Sequence, residues 1–259
     1  MPDDQSVTER GQIPTNLRLL AVIEEVVRAG VPVTPSAVND VLGLPKPTVH
    51  RLFATAEQQG FLQRDIDGRS YGPGPRLRRL AVDTMTSERV RALRLAVLQR
   101  VAEKVGETCN LAIPDRDGMF YLDRVETHWP LRINLPVGSQ VPFHCTASGK
   151  MHLSCLRSDY LDRLLNSLAL RQMTKKTITD TGILRQELAA SRENGYATDN
   201  EEFMEGMSAI AVPVKDRRGR LLATLSVHAP VQRHTLASLK GHLDTLIDAA
   251  AELSDIAAE

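Results

Sequence analysis

The sequence has few cysteines and no long apolar run, and both absences exclude classes of protein. Only three cysteines occur among 259 residues, and none forms a Cys-x-x-Cys pair. An odd number of isolated cysteines favours free thiols in a reducing compartment over a disulfide framework. No segment approaches the roughly 18 uncharged apolar residues of a membrane-spanning helix. We therefore expect a cytoplasmic protein that does not associate with membranes.

Aromatic residues are also scarce. They make up 4% of the chain, as five Phe, four Tyr and one Trp. Proteins that recognise single-stranded RNA stack unpaired bases on exposed aromatic side chains. The scarcity argues against an RNA-binding adaptor.

The first fifteen residues, MPDDQSVTERGQIPT, are polar and acidic. Signal peptides need a basic start and an apolar centre, and transit peptides are poor in acidic residues. This stretch fits neither, so we expect residues 1–13 to form a disordered tail.

The chain has no net charge, but its charges are unevenly placed. Residues 44–80 carry a net charge of +4, which the remainder of the chain balances. The cations are Lys46, Arg51, Arg64, Arg69, Arg76, Arg78 and Arg79. Such an excess is by itself typical of a solvated face, and its meaning depends on local structure.

Residues 16–60 predict three short helices. The segment NLRLLAVIEEVVRAG stops at a glycine, and TPSAVNDVLG begins with a capping Thr and a Pro before it too ends at a glycine. A third helix begins in LPKPTVHRL, where proline suits the first turn. In the first helix a buried stripe is expected at Leu20, Ile23 and Val27, with Leu19 and Val26 widening it. In the third helix it is expected at Val49, Leu52, Phe53 and Ala56. Two short helices joined by a glycine turn indicate a helix-turn-helix.

The next segment predicts a β-hairpin, and the remainder of the chain predicts a second domain. FLQRD and RSYG flank Asp67-Gly68, a strong hairpin-turn signal, which makes the first module a winged helix-turn-helix. Beyond the GPGP at residues 72–75, helical patterns mix with strands joined by hairpins. This mixture predicts an α+β domain with an antiparallel sheet.

The N-terminal end of the third helix is the candidate DNA-binding surface. In a helix-turn-helix this end enters the major groove. Thr48 and His50 are expected to meet base edges, and Arg51 is expected to meet a phosphate. The full set adds Lys46 and Pro47 on the helix and Arg64 and Arg69 on the wing. The alternative is that the helix-turn-helix serves packing or protein contact.

The segment GLPKPTVHRLFATAEQQGFLQRDIDGRSYGPGPRL resembles the DNA-binding domain of IclR-type transcriptional regulators. VGSQVPFHCTASGKMHLS and GYATDNEEFMEGMSAIAVPVKDRRGRLLATLSVHAP are similar to the effector-binding domain of that family. The resemblance implies a winged helix-turn-helix over 14–74, a linker helix over 75–86 and a GAF-like effector-binding domain over 87–259. It also implies homodimers that pair into tetramers and bind palindromic double-stranded operator DNA. Pro47 departs from the small residue of relatives, which predicts a delayed helix start.

The resemblance further implies a ligand cup in the second domain. Its expected lining is Val141, Ala147, Ser148, Asp199, Met207, Ala209, Ser226 and His228. Amides at the start of the TASGK helix would bind a carboxylate. Ala209 and His228 depart from the small polar groups of relatives that bind very small oxo acids. We expect a small organic acid neutralised by His228, with Asp199 holding a ligand hydroxyl or orienting the imidazole; alternatively, His228 is a hydrogen-bonded core residue.

Catalytic and metal motifs were also sought. TASGKM lacks the early glycine and the final Ser or Thr of a phosphate-binding loop. The histidines and cysteines His128, His144, His152, Cys145 and Cys155 lack the spacing of a closed zinc site. We therefore expect no metal, no cofactor and no catalytic residues. The competing hypothesis is an enzyme that turns over a small molecule in the second domain and uses the first for regulation.

Overall fold

The chain forms two compact units that divide between Thr84 and Met85. The computed structural model describes residues 13–85, 88–115 and 117–258. Residues 1–12 of the expected tail and the last residue of the expected linker helix lie outside this range.

The described residues of the first unit form four helices and a hairpin. They are α1 (Arg18–Ala29), α2 (Pro35–Leu42), α3 (Lys46–Gln58), β1 (Leu62–Arg64), β2 (Tyr71–Pro73) and α4 (Pro75–Met85). Thr34 caps α2 by accepting the amide of Ala37. Gly43 ends α2 with φ 63°, a conformation that glycine adopts without strain. The chain therefore turns within three residues into α3.

The prediction for α3 is confirmed in its buried face and wrong in its start. Val49, Phe53 and Ala56 are buried, and Leu52 packs against the same core. The helix begins at Lys46, so Pro47 causes no delay. Pro47 takes the second helical position, where an amide has no partner within the helix and a missing N–H costs nothing.

The prediction for the buried face of α1 is confirmed at Ile23, Val26 and Leu19, which packs against the core, and is wrong at Leu20 and Val27. Val22, Ile23 and Val26 face the core, whereas Leu20 and Val27 are 54% and 46% exposed. The segment offers apolar residues on more than one side, so periodicity alone does not select the packed side.

The predicted wing is present. β1 pairs antiparallel with β2, and Gly68 occupies the turn at φ 67°. Val33 extends the pairing by exchanging backbone hydrogen bonds with Tyr71. The edge of the Tyr71 ring contacts Phe53, with 4.9 Å between ring centroids, which fixes the wing to α3.

The second unit is built on a six-stranded antiparallel sheet in the order β5-β4-β3-β8-β7-β6. The strands are β3 (Thr108–Pro114), β4 (Gly118–Val125), β5 (Gln140–Pro142), β6 (Ala197–Asn200), β7 (Met207–Lys215) and β8 (Leu221–Pro230). The helices are α5 (Glu88–Val105), α6 (Ala147–Cys155), α7 (Ser158–Ser167), α8 (Thr181–Asn194), α9 (Leu236–Lys240) and α10 (Leu243–Ala258). The α+β class and the antiparallel sheet are thus as predicted.

Helices cover both faces of this sheet. α5 and α10 pack on one face and α6 packs on the other. Because side chains alternate along a strand, each buried strand contributes one set of residues to each side. On the α6 side, Ala209 and Ala211 form a cluster with Ala147 and Met151 of the helix.

α6 lies unusually close to the chain that precedes it. A Cβ atom on Gly149 would lie 2.3 Å from the carbonyl oxygen of Phe143. Only a glycine fits here. Thr146 caps the start of the helix: its hydroxyl accepts the Gly149 amide at 3.1 Å and donates to Pro142 O at 2.7 Å. These contacts fix the N-terminus of α6 over the sheet.

Candidate DNA-binding surface and effector site

The polar side of α3 is open to solvent. Lys46, Pro47, His50 and Arg51 are exposed, and Thr48 is half-buried. Their positions follow from the burial of Val49, Leu52 and Phe53, which turns the other side of the helix outward. The exposed side presents hydrogen-bonding groups and two permanent cations at a helix N-terminus, an arrangement suited to base edges and phosphates.

The two wing arginines differ in their surroundings. The Arg64 Nε donates to Glu57 at 2.8 Å, and its guanidinium lies 4.9 Å from the centre of the Tyr71 ring. Arg64 also donates to the Gly68 carbonyl, so it stabilises the wing turn. Arg69 is exposed, and no carboxylate of the described residues pairs with its side chain. Arg69 is therefore the wing cation better placed for a polyanion.

The expected effector residues lie largely on the α6 side of the sheet. Strand register places the expected residues Asp199, Ala209 and His228 in one row. Ser226 lies in the neighbouring row, with Ala211 on one side and Asn110 and then Arg124 on the other. Met207 precedes Ala209 by two positions and shares its face. Val141 pairs with Met119 on β4 and packs in the apolar cluster that includes Tyr121.

A chain of hydrogen bonds joins α6 to the sheet. The Ser148 hydroxyl donates to Ser226 Oγ at 3.1 Å, and Ser226 Oγ lies 3.3 Å from His228 Nε2. Ala147 and Ser148 are the first residues of α6, where backbone amides have no partners within the helix. The amides and hydroxyls together form a small site suited to an anion.

His228 does not carry the positive charge that was expected of it. Burial, helped by the nearby Arg124 guanidinium, lowers the pKa of His228 to about 3. The imidazole is therefore neutral at pH 7 in the ligand-free protein. The permanent charge beside this row belongs to Arg124, whose side chain is 3% exposed.

Asp199 is held by the backbone rather than by His228. Its Oδ1 accepts the amides of Glu202 at 2.7 Å and Phe203 at 3.3 Å. Burial raises the pKa of Asp199 to about 7, because the hydrogen bonds only partly offset desolvation. Half of the Asp199 carboxyl groups are thus protonated near neutral pH. Among the described residues, no hydrogen bond joins Asp199 to His228, so the expected orienting role is not seen.

Lys150 of the TASGK segment stabilises the same corner of the domain. Its Nζ donates to Glu202 at 2.6 Å and to Glu187 at 3.0 Å, and the side chain is fully buried. A buried charge requires such pairing. Lys150 therefore fixes α6 to the loop after β6.

Sequence reasoning missed Asn110, Tyr121 and Arg124. All three lie on β3 or β4, on the face that α6 covers. The Arg124 Nη1 donates to Asn110 Oδ1 at 2.9 Å, and the Tyr121 ring meets His228 edge-on. A signal was present, since TCNLAIP places polar residues at alternate positions of an otherwise apolar strand.

Other features of the second unit lie away from this face. Surface grooves of about 510 Å³ beside β7 and α10 and about 370 Å³ beside α5 and Trp129 share none of the expected effector residues. Within the described residues, no three His, Cys, Asp or Glu side chains are grouped to hold a metal ion. No helix in the described ranges has both the length and the hydropathy of a membrane span.

A winged helix-turn-helix joined to a sheet domain with a buried polar site defines a DNA-binding regulator of the one-component type. The profile of the IclR helix-turn-helix domain matches residues 17–65, and that of the bacterial transcriptional regulator IclR C-terminal domain matches residues 82–255. The chain belongs to the IclR family of transcriptional regulators.

Curated relatives cover most of the chain. It is 41% identical over 237 residues to the protein named "probable transcriptional regulator SauR" of Cupriavidus necator, covering 92% of this chain and 94% of the relative. It is 34% identical to the HTH-type transcriptional regulator BhcR of Paracoccus denitrificans, covering 82% and 76% of the two chains. It is 27% identical to the transcriptional repressor IclR of Escherichia coli, covering 87% and 83%.

Solved structures show the same fold. Thermotoga maritima IclR superposes with a TM-score of 0.62 at 26% identity, covering 93% of this chain and 97% of the other. An IclR homologue from Microbacterium hydrocarbonoxydans, crystallised in complex with 4-hydroxybenzoate, superposes with a TM-score of 0.60 at 27% identity, covering 93% and 100%.

Proposed function

We propose that this chain regulates transcription by binding a palindromic operator as a homodimer, or as a pair of dimers, and that a small organic acid controls that binding. The observation that carries the proposal is the hydrogen-bonded chain Ser148–Ser226–His228 beneath the first turn of α6. It combines hydroxyls, an imidazole and unpaired helix amides in a buried place, and this chemistry suits a carboxylate. The homologue crystallised with 4-hydroxybenzoate, itself an organic acid, supports the same class of effector.

The proposal includes binding without turnover. Cys145 precedes α6, but burial and the nearby Asp199 and Glu202 carboxylates raise its pKa to about 12, so the thiol remains protonated. A thiol in this state is a poor nucleophile. The relatives compared above are all named as regulators, which also supports a sensing role.

A thermal-shift screen of small organic acids tests the effector class, since a ligand that binds only the folded form raises its stability. We expect at least one acid to raise the melting temperature and to change operator binding in a gel-shift assay. Ligand recovered chemically unchanged after prolonged incubation separates sensing from turnover. If no acid binds, or if the bound acid is consumed, this effector class or the sensing role is wrong.

A further inference from the structure

Of the six buried side-chain polar atoms of the second unit that have no hydrogen-bond partner within the described residues, two lie on the neighbouring strands β3 and β4. They are the side-chain amide nitrogen of Asn110 and the hydroxyl of Tyr121. Both side chains are 0% exposed. Native folds rarely leave buried donors unpaired, so a pair of them calls for an explanation.

Both atoms belong to the face of the sheet that α6 covers. Asn110 is the register partner of Ser226, and Tyr121 lies opposite Ala112, two positions along β3 from Asn110. The ring centroids of Tyr121 and His228 are 6.2 Å apart. The two unpaired donors therefore extend the site that begins at Ser148.

Arg124 fixes the orientation of Asn110. Its Nη1 donates to the Asn110 side chain, and because arginine has no acceptor the atom facing it must be the carbonyl oxygen Oδ1. The amide nitrogen is thus directed away from the guanidinium. Arg124 is itself held by Glu126 at 3.1 Å and by the Ile133 carbonyl, so neither group turns freely.

The charge at this end of the site is positive. The Arg124 guanidinium lowers the pKa of His228, which shows that its field reaches the row of expected effector residues. Burial raises the pKa of Tyr121, so its hydroxyl remains a proton donor. Fixed donors beside a buried cation suit an oxyanion better than a neutral acceptor.

We infer that Asn110 and Tyr121, with Arg124 behind them, form a second anion-binding end of the effector site, so that the effector is a small acid with an oxyanion at each end. The first oxyanion lies at the α6 amides and Ser148. Asn110 and Ser226 are register partners on neighbouring strands, about 5 Å apart between Cα atoms, so we expect only a short carbon chain between the two oxyanions. This inference rests on the proposed function and specifies its ligand.

Three acids of equal chain length test the inference on the full-length protein. Succinate has two carboxylates, succinamate replaces one of them with a neutral amide, and butyrate has only one polar end. Calorimetry at pH 7.5 is expected to give the order of affinity succinate, succinamate, butyrate, with roughly tenfold between the first and the last, the worth of a charge-assisted hydrogen bond.

Two variants test whether Tyr121 and Asn110 act in ligand binding rather than in the stability of the fold. Tyr121→Phe removes only an unpaired hydroxyl, so it should leave or raise the unfolding free energy while weakening succinate binding about tenfold. Asn110→Asp keeps the acceptor for Arg124 but turns an anionic oxygen toward the ligand, so it should abolish the preference for succinate. Butyrate affinity should change less than about threefold in both variants. Tyr196→Phe, on the half-buried Tyr196 beside Lys240, is the matched control and should change none of these affinities.

The outcomes distinguish this inference from the proposed function. Equal affinity for succinate and succinamate, or unchanged succinate binding in both variants, would overturn the second anion-binding end and leave an organic-acid effector standing. Failure of every acid in the wider screen to bind would overturn the effector class and this inference together. If the variants lose succinate binding but keep butyrate binding, the result supports both the organic-acid effector class and the second anion-binding end.

Discussion

At the scale of single residues, Arg51 has the simplest expected role. It is exposed on α3, one residue from His50, and its charge is permanent. Arg51→Ala should weaken binding to operator and to unrelated DNA alike and should reduce the slope of log affinity against log salt by about 1, because one phosphate contact is lost. Fluorescence anisotropy at several salt concentrations measures both quantities.

Matched variants test this division of roles. Thr48→Ala and His50→Ala should change preference among operator sequences more than they change the salt slope. Arg28→Ala removes a cation that pairs with Glu25 on α1, and we expect little effect on DNA binding. If all three α3 variants lose selectivity equally, the assignment of phosphate and base contacts is wrong.

Asp199 makes effector binding depend on pH. Its pKa is about 7, and an anionic ligand nearby would raise that pKa further, so binding takes up a proton. Affinity for an organic acid should therefore increase as the pH falls from 8.5 to 6.5, by at most about tenfold per pH unit. The charged groups that act on Asp199 are Lys150, which is paired with Glu202, and Glu202 itself, whose pKa is raised by burial.

Asp199→Asn imitates the protonated carboxyl and provides the control. Its acid affinity should not change with pH and should match that of the wild type at pH 6.5. Calorimetry across this range decides the question, because carboxylic acids ionise mainly below it. A wild-type pH dependence that persists in Asp199→Asn would assign the titration to another group.

At the scale of elements, α6 packs so closely against the preceding chain that position 149 has no room for a side chain. Gly149→Ala would place a methyl group 2.3 Å from Phe143 O, so α6 and the segment at Phe143 must move apart. Overpacking of this kind costs about 1–3 kcal/mol, and the shift should also reduce acid binding. Denaturation followed by circular dichroism measures the loss of stability. Gly72→Ala, where a Cβ meets no atom within 4 Å, should be nearly neutral.

The two arginines of the wing are expected to have different roles, Arg69 in DNA binding and Arg64 in stability. Arg69→Ala is expected to lower DNA affinity several-fold and to reduce the salt slope, without a change in stability, since one exposed cation is lost. Arg64→Ala should instead destabilise the wing slightly, since its pair with Glu57 is largely exposed and screened by solvent. Anisotropy and thermal melting of the two variants distinguish the roles. Equal effects on DNA binding would mean that Arg64 leaves Glu57 to reach the phosphate backbone.

Apolar periodicity predicted the buried face of α3 better than that of α1. The stripe of α3 was predicted because the polar residues around Val49 and Phe53 leave only one apolar side. In α1 the apolar residues surround more of the helix, and the packed side was chosen by contact with α3 and the wing. Leu20 and Val27 were consequently left exposed.

At the scale of the whole molecule, exposed apolar side chains support self-association. Leu20, Leu80 and Leu93 are 54%, 48% and 43% exposed. We expect sedimentation at micromolar concentration to show a dimer or a dimer of dimers, and footprinting to show two half-sites about one helical turn apart. Leu20→Glu and Leu80→Glu together should favour the monomer. Ile183→Glu, at an equally exposed position on α8, should not. A monomeric wild type, with and without operator, would rule out this assembly.

The sequence by itself determined the local structure and the class of protein. Gly43, Pro45 and Asp67-Gly68 dictate turns whatever the remainder of the chain does, because their backbone preferences are intrinsic. The antiparallel α+β domain followed from strand patterns joined by hairpin signals. The motifs around Lys46–Arg51 and Thr146–Lys150 were enough to assign the family before any coordinates.

Only the tertiary structure decided the chemistry of the effector site. His228 looks like a cation in the sequence, but burial beside Arg124 keeps its imidazole neutral. Asn110, Tyr121 and Arg124 are far in sequence from Ser226, and strand register alone brings them to its side. Charge and hydrogen bonding depend on which groups are buried together, and that is a property of long-range packing rather than of any local segment.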